Sequence, residues 1–242
     1  MILIVAGLSS CKKDEPETNK TGDVTIEFDH VWAATESEFV LNKELTHPLL
    51  NEKMTFNIFK YYVSNVRLKA ADGSWYAMPE SYFIVDVDPA GSNKVVIPDV
   101  PGGEYVEVEM MFGVDSTRST SGAQSGSLDP AKGMFWSWNS GYIMLKAEGT
   151  SPNSSSGSFT FHLGGFKGDN KVQTTKSYTF GTSNLVVDGD RDAEIHLIAN
   201  PAKLWHAAES LAVINTNMMP NAIAKTMSST FYDAIRFDHI HN

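Results

Sequence analysis

PGGEYVEVEMMFGVDSTRSTSGAQSGSLDPAKGMFWSWNSGY, residues 101–142, is the stretch on which the fold turns. Pro101-Gly102-Gly103 reads as a turn. From Tyr105 the chain alternates, with Tyr105, Glu107, Glu109 and Met111 on one side and Val106, Val108, Met110 and Phe112 on the other, as a β-strand requires. A long Ser- and Gly-rich loop then runs from Gly113 and closes on Phe135-Trp136-Ser137-Trp138. Such a loop inside a compact domain is either functional or disordered. The two tryptophans favour order, because rings of that size need burial or a partner. At i, i+2 on an extended segment, Trp136 and Trp138 face the same side.

Working outward, the two-residue period recurs along the chain. Val24-Thr25-Ile26-Glu27-Phe28 alternates, and a strand that continues through Trp32 puts His30 and Trp32 on the face of Ile26 and Phe28. Residues 55–68 mix aromatic and β-branched side chains, and Asp72-Gly73 makes a hairpin turn. Further strands are expected over 75–86, 94–97, 141–148, 158–163, 177–180 and 193–198. Asn200-Pro201 and Pro220 each open a short helix, the second with Ile223, Met227 and Phe231 on one face. Met218-Met219 is expected to pack on the body of the protein in preference to offering thioethers to a metal. Short strands, Gly and Pro turns and no intervening helices predict an all-β fold. It is an antiparallel β-sandwich with long loops and short C-terminal helices.

The 242 residues are 42% hydrophobic, enough for one sizeable core, and carry a formal net charge of −10. That charge argues against nucleic acid, whose phosphates need a basic face, and is compatible with cation binding. Residues 1–11, MILIVAGLSSC, form an apolar run ending in Leu8-Ser9-Ser10-Cys11, the pattern of a lipoprotein signal whose cysteine becomes acylated. Cys11 is the only cysteine, so lipidation suits it better than a disulfide. Residues 12–22 are charged and lack apolar periodicity, as a flexible tether does. Residues 23–242 are then one domain, held by a lipid anchor at the outer membrane on its periplasmic or surface face. No nucleophile elbow, phosphate loop or paired-cysteine motif stands out, so binding is expected and catalysis is not.

Several segments, taken in order, resemble the MbnP-like copper-binding family of methanobactin-associated periplasmic proteins and their relatives. They are Tyr61-Tyr62-Val63-Ser64-Asn65-Val66-Arg67-Leu68, Gly113-Val114-Asp115, Leu128-Asp129-Pro130, Gly133-Met134-Phe135-Trp136-Ser137-Trp138 and Phe161-His162-Leu163-Gly164-Gly165. The resemblance implies a sandwich that captures or handles copper. It implies a site histidine at the His-x-Gly position, here His162, and another on the first strand near a tryptophan, here His30 with Trp32. In some relatives that tryptophan is oxidised to kynurenine, whose nitrogen helps bind copper; Trp136 and Trp138 are further candidates for a modified or site-adjacent ring. A di-haem peroxidase-like enzyme or an outer-membrane transporter is implied as a partner.

The residues themselves add His239 and His241, which in an extended segment project to one side and can share an ion. Imidazole suits copper and zinc alike, and the resemblance favours copper. Lone histidines default to hydrogen-bonded structural roles, the expectation for His47, His196 and His206. Asp29 and Asp238 neighbour candidate histidines in sequence, yet adjacent strand residues face opposite sides. The competing reading is a surface adhesion or glycan-binding module. Trp75, Trp136, Trp138 and Tyr142 would stack on sugars, with calcium ordering loops through Asp115, Asp129, Asp188 and Asp190. The copper reading asks His30, His162 and one of the terminal pair to converge; the glycan reading asks for exposed coplanar rings.

Overall fold

The computed structural model describes residues 20–88, 92–138, 141–205 and 209–242. In chain order its strands are β1 (Thr21–Trp32), β2 (Ser37–Glu38), β3 (Glu44–Thr46), β4 (Lys53–Ala70), β5 (Trp75–Ala77), β6 (Tyr82–Asp86), β7 (Lys94–Pro101) and β8 (Gly103–Phe112). After the short helix α1 (Ser116–Thr120) come β9 (Ile143–Thr150), β10 (Ser158–Gly164), β11 (Thr174–Thr179), β12 (Leu185–Val187), β13 (Ala193–Ala199) and β14 (Thr216–Asn217). Helix α2 (Ala222–Asp233) and β15 (Arg236–His241) complete the chain.

The strands form two sheets, as an all-β sandwich requires. The smaller runs β15-β13-β1-β2, with β7 also paired to β1. The larger runs β11-β8-β4-β9-β10-β14, with β12 added to β8 and β3, β5 and β6 added to β4. Two pairings depart from the antiparallel expectation: β1 with β13, and β10 with β14, are parallel. Parallel neighbours need a long crossover, and most of the domain lies between β1 and β13. Thr21 and Gly22 already pair with Pro101 and Val100, so the folded domain starts inside the segment expected to be tether.

Alternation along β1 works as the sequence implies. Val24, Ile26, Phe28, His30 and Trp32 are all buried, while the residues between them are not. Phe28 meets Tyr61 and Phe112 of the larger sheet at ring-centroid distances of 5.7 and 6.3 Å, so the sheets stack face to face. Helix α2 caps one end of this core. Asn221 accepts from the Ala224 amide at 2.8 Å, and Phe231 packs on Phe59 and Tyr61. Met227 is buried beside it, and Ile223 packs on the core from its edge.

Where the other helix was expected, the described residues show a 3-10 turn, Pro201–Trp205, with Leu204 and Trp205 buried in the core. Trp205 fills the space between Phe56, Phe159, Phe161 and His47. Met218 and Met219 do not pack on the sandwich: they lie exposed in the turn before α2. Among the described residues no helix is long and apolar enough to cross a membrane.

Candidate metal centre

On the smaller sheet the inward residues of β13, Ala193, Ile195, Leu197 and Ala199, are buried, which leaves Glu194 and His196 on the outer face. Strand β15 lies antiparallel against β13, with His196 opposite His239 and Glu194 opposite His241. The register slips between His196 and Leu197, whose partners are His239 and Phe237, so Asp238 is the extra residue of a β-bulge. A bulge re-aims side chains, and here it overrides strict alternation. Asp238 and His239 lie together, with the Asp238 Oδ2 accepting from His239 Nδ1 at 2.8 Å. That bond chiefly holds the Asp238 carboxyl below its usual range.

Three imidazoles therefore meet outside the sheet. His239 Nε2 and His241 Nε2 are 3.0 Å apart. The His196 ring stacks on His239 at 4.3 Å and stands edge-on to His241 at 5.1 Å. Ligand atoms from all three lie within 4.8 Å of one another. Asp29, on the outer face of β1, bonds His196 Nδ1 at 3.0 Å. His196 Nε2 is left buried with no hydrogen bond. An imidazole whose far nitrogen is held by a carboxylate, with the other free to coordinate, is the arrangement found around metal ions. Glu27 and Glu194 flank the cluster and share Lys94, at 2.8 and 3.9 Å. Burial works to raise the Glu27 carboxyl, but bonds from Lys94 and Asn93 outweigh it and keep it low.

The residues singled out from sequence are distributed differently. His239 and His241 belong to the cluster, and His196, expected to be merely structural, completes it. His30 points into the core: Nε2 is 3.2 Å from the Tyr61 hydroxyl, and burial pushes its imidazole down to about 4. His162 lies on β10 between the core residues Phe161 and Leu163 and so on the opposite face, 2.6 Å from Glu148, which also holds Lys146 at 3.1 Å. Burial lowers the His162 imidazole, and the Glu148 bond opposes that in part. His30 and His162 therefore do not converge with the terminal pair. His47 is structural, with Nε2 2.8 Å from the Ala202 carbonyl and Nδ1 accepting from the Leu49 and Leu50 amides. His206 and Cys11 lie outside the described residues.

Trp32 is buried against Phe39 and donates to the Thr46 carbonyl. Trp136 is buried, and it packs on β10 only because position 164 is glycine: a Cβ there would meet the Trp136 ring at 2.7 Å. Trp138 is 60% exposed and tilted 41° to Trp136, while Tyr142 is buried with its hydroxyl on the Leu128 carbonyl. These rings are not a coplanar exposed platform. The candidate calcium residues have protein partners. Asp115 caps α1 and accepts from the Tyr82 hydroxyl at 2.5 Å. Asp129 caps the turn at Pro130–Lys132. Asp188 takes Arg191, and Asp190 takes Lys20.

The molecule is thus a two-sheet β protein with a histidine cluster on the outer face of its smaller sheet. The family model for MbnP matches residues 21–226, and the chain belongs to that family. Its fold is similar to that of MbnP from Methylosinus trichosporium, at 15% sequence identity, with a TM-score of 0.52 over 84% of this chain and 83% of that one. No curated protein matches. His239 and His241 lie beyond the matched span.

Proposed function

We propose that this protein binds copper at the cell envelope, holding the ion through Nε2 of His196, His239 and His241. The observation that carries the reading is the facing pair of Nε2 atoms, 3.0 Å apart, beside the unbonded Nε2 of His196. With metal–nitrogen bonds of ~2 Å, that separation corresponds to an angle of about 95° at the ion, near the right angle of tetragonal copper coordination. Asp29 and Asp238 fix the other nitrogens of two of the rings, setting tautomer and orientation and raising ligand basicity. The His196 and His239 rings lie stacked, 7° apart in orientation, so one of them turns about its side-chain torsions when both nitrogens take the same ion. The donor set alone suits copper or zinc; the resemblance to copper-binding relatives favours copper. The bound ion is cargo, captured for transfer and not for catalysis.

The same reading makes Cys11 the site of a lipid anchor at the outer membrane. It also gives the protein a di-haem peroxidase-like enzyme or an outer-membrane transporter as partner. The apolar run ending in Leu8-Ser9-Ser10-Cys11 supports the anchor, and labelled palmitate entering the wild type but not Cys11→Ala tests it.

Copper titration tests the centre. Wild type takes up one equivalent tightly, His196→Ala, His239→Ala and His241→Ala each lose that step, and His30→Gln and His162→Gln keep it. Loss in His162→Gln with retention in the three cluster variants contradicts the assignment.

A further inference from the structure

Glu194 stands two residues before His196 on the outer face of β13 and directly opposite His241. Its Oε2 lies 3.6 Å from His196 Nε2, the nitrogen that has no hydrogen bond. Glu27, Glu194 and His196 form a second group whose ligand atoms all lie within 4.8 Å of one another. The two carboxylates are not equivalent. Glu27 is engaged by Lys94 at 2.8 Å and by Asn93 at 3.2 Å. Apart from His196, Glu194 has among the described residues only the distant end of Lys94, at 3.9 Å. Its carboxylate is therefore the one able to swing onto an ion at the imidazoles.

We infer that Glu194 is the fourth donor of the histidine centre and biases it toward divalent copper. This rests on the three-histidine reading above. Three imidazoles satisfy either oxidation state, and neutral nitrogen donors suit monovalent copper without help. A carboxylate adds a hard, anionic oxygen whose attraction grows with the charge of the ion, so it stabilises Cu(II) more than Cu(I). This oxygen, as fourth donor, also completes the coordination that three imidazoles leave open, in a position where water would otherwise bind. Glu194 thus sets which oxidation state the protein retains and at what point reduction loosens it.

The test measures Cu(II) and Cu(I) affinities separately, by competition with chelators selective for each, on wild type, Glu194→Gln, Glu27→Gln and His239→Ala. Electron paramagnetic resonance of the Cu(II) forms accompanies the titrations. In Glu194→Gln the Cu(II) affinity falls about tenfold or more while Cu(I) affinity holds, and a tenfold change raises the one-electron midpoint by about 59 mV. The Cu(II) spectrum shifts in the same variant, as exchange of an oxygen donor demands. Glu27→Gln removes an equal charge from the same face and leaves the spectrum unchanged. Glu194 is overturned as a ligand if both affinities fall together, if neither moves, or if Glu27→Gln reproduces the full effect. Retention of full copper affinity by His239→Ala, in contrast, refutes the three-histidine centre itself. Loss in His239→Ala with no change in Glu194→Gln sinks only the fourth donor.

Discussion

Replacing His30 by glutamine separates a core histidine from a copper ligand, and the structure fixes how large the signature is. His30 is 8% exposed, sits edge-on to the rings of Phe59 and Tyr61, and has Nε2 against the Tyr61 hydroxyl. Burial pushes its imidazole down from 6.5 to about 4, partly opposed by a bond with the Phe28 backbone. Between those two values the unfolded chain holds a proton on His30 that the folded protein refuses. Acidification therefore favours unfolding: the His30 contribution is complete above pH 6.5 and drains away as pH falls toward 4. At 1.36 kcal/mol for each unit of difference, the effect is about 3 kcal/mol, a large share of a typical domain's 5–15. Urea unfolding of wild type and His30→Gln at pH 7, 5.5 and 4 measures it. Other acid-sensitive groups, His162 among them, titrate in both proteins and cancel in the difference. The wild type loses about 3 kcal/mol more than the variant from pH 7 to pH 4, and the two proteins take up copper equally. Parallel stability curves, or copper binding lost in the variant, refute the placement of His30 in the core.

Three further outcomes follow from the packing and from the cluster. Gly149→Ala puts a Cβ 2.1 Å from the Thr55 carbonyl oxygen and 2.5 Å from the Phe159 ring, with rigid β-sheet on one side. It costs ~3 kcal/mol and lowers Tm by roughly 6–12 °C in a domain of this size, read by thermal unfolding. Asp29→Asn and Asp238→Asn leave the fold and the three imidazoles in place but weaken copper binding about 10–100-fold each, read by chelator competition. Asp115→Ala removes the cap of α1 and the partner of Tyr82, and lowers stability by about 1–2 kcal/mol in urea whether or not calcium is present.

Much of the scaffold was legible because it rests on local period. The alternation in Val24-Thr25-Ile26-Glu27-Phe28 fixed which face of β1 is buried, and it placed His30 and Trp32 on that face correctly. That placement already spoke for a core role for His30, against the family-based expectation that it is a ligand. The four-residue spacing of Ile223, Met227 and Phe231 marked α2. What stayed hidden depends on pairing between distant strands. A lone histidine in Glu194-Ile195-His196-Leu197 carries no sign that the C-terminal strand will lie beside it with His239 in register. The bulge at Asp238 likewise arises from that pairing, and without it Asp238 and His239 would face opposite ways. His239 and His241 were found by their spacing. The outward slot of His196 on a strand with buried neighbours was the one local signal for the third member.

Diffraction from crystals soaked in copper, with anomalous data collected at the copper edge, tests the central claim most directly. The histidine centre predicts a single strong peak about 2.0 Å from Nε2 of His196, His239 and His241 on the outer face of the smaller sheet. A peak beside His162 and Glu148, or at His30 inside the sandwich, with the three-histidine cluster empty, contradicts it.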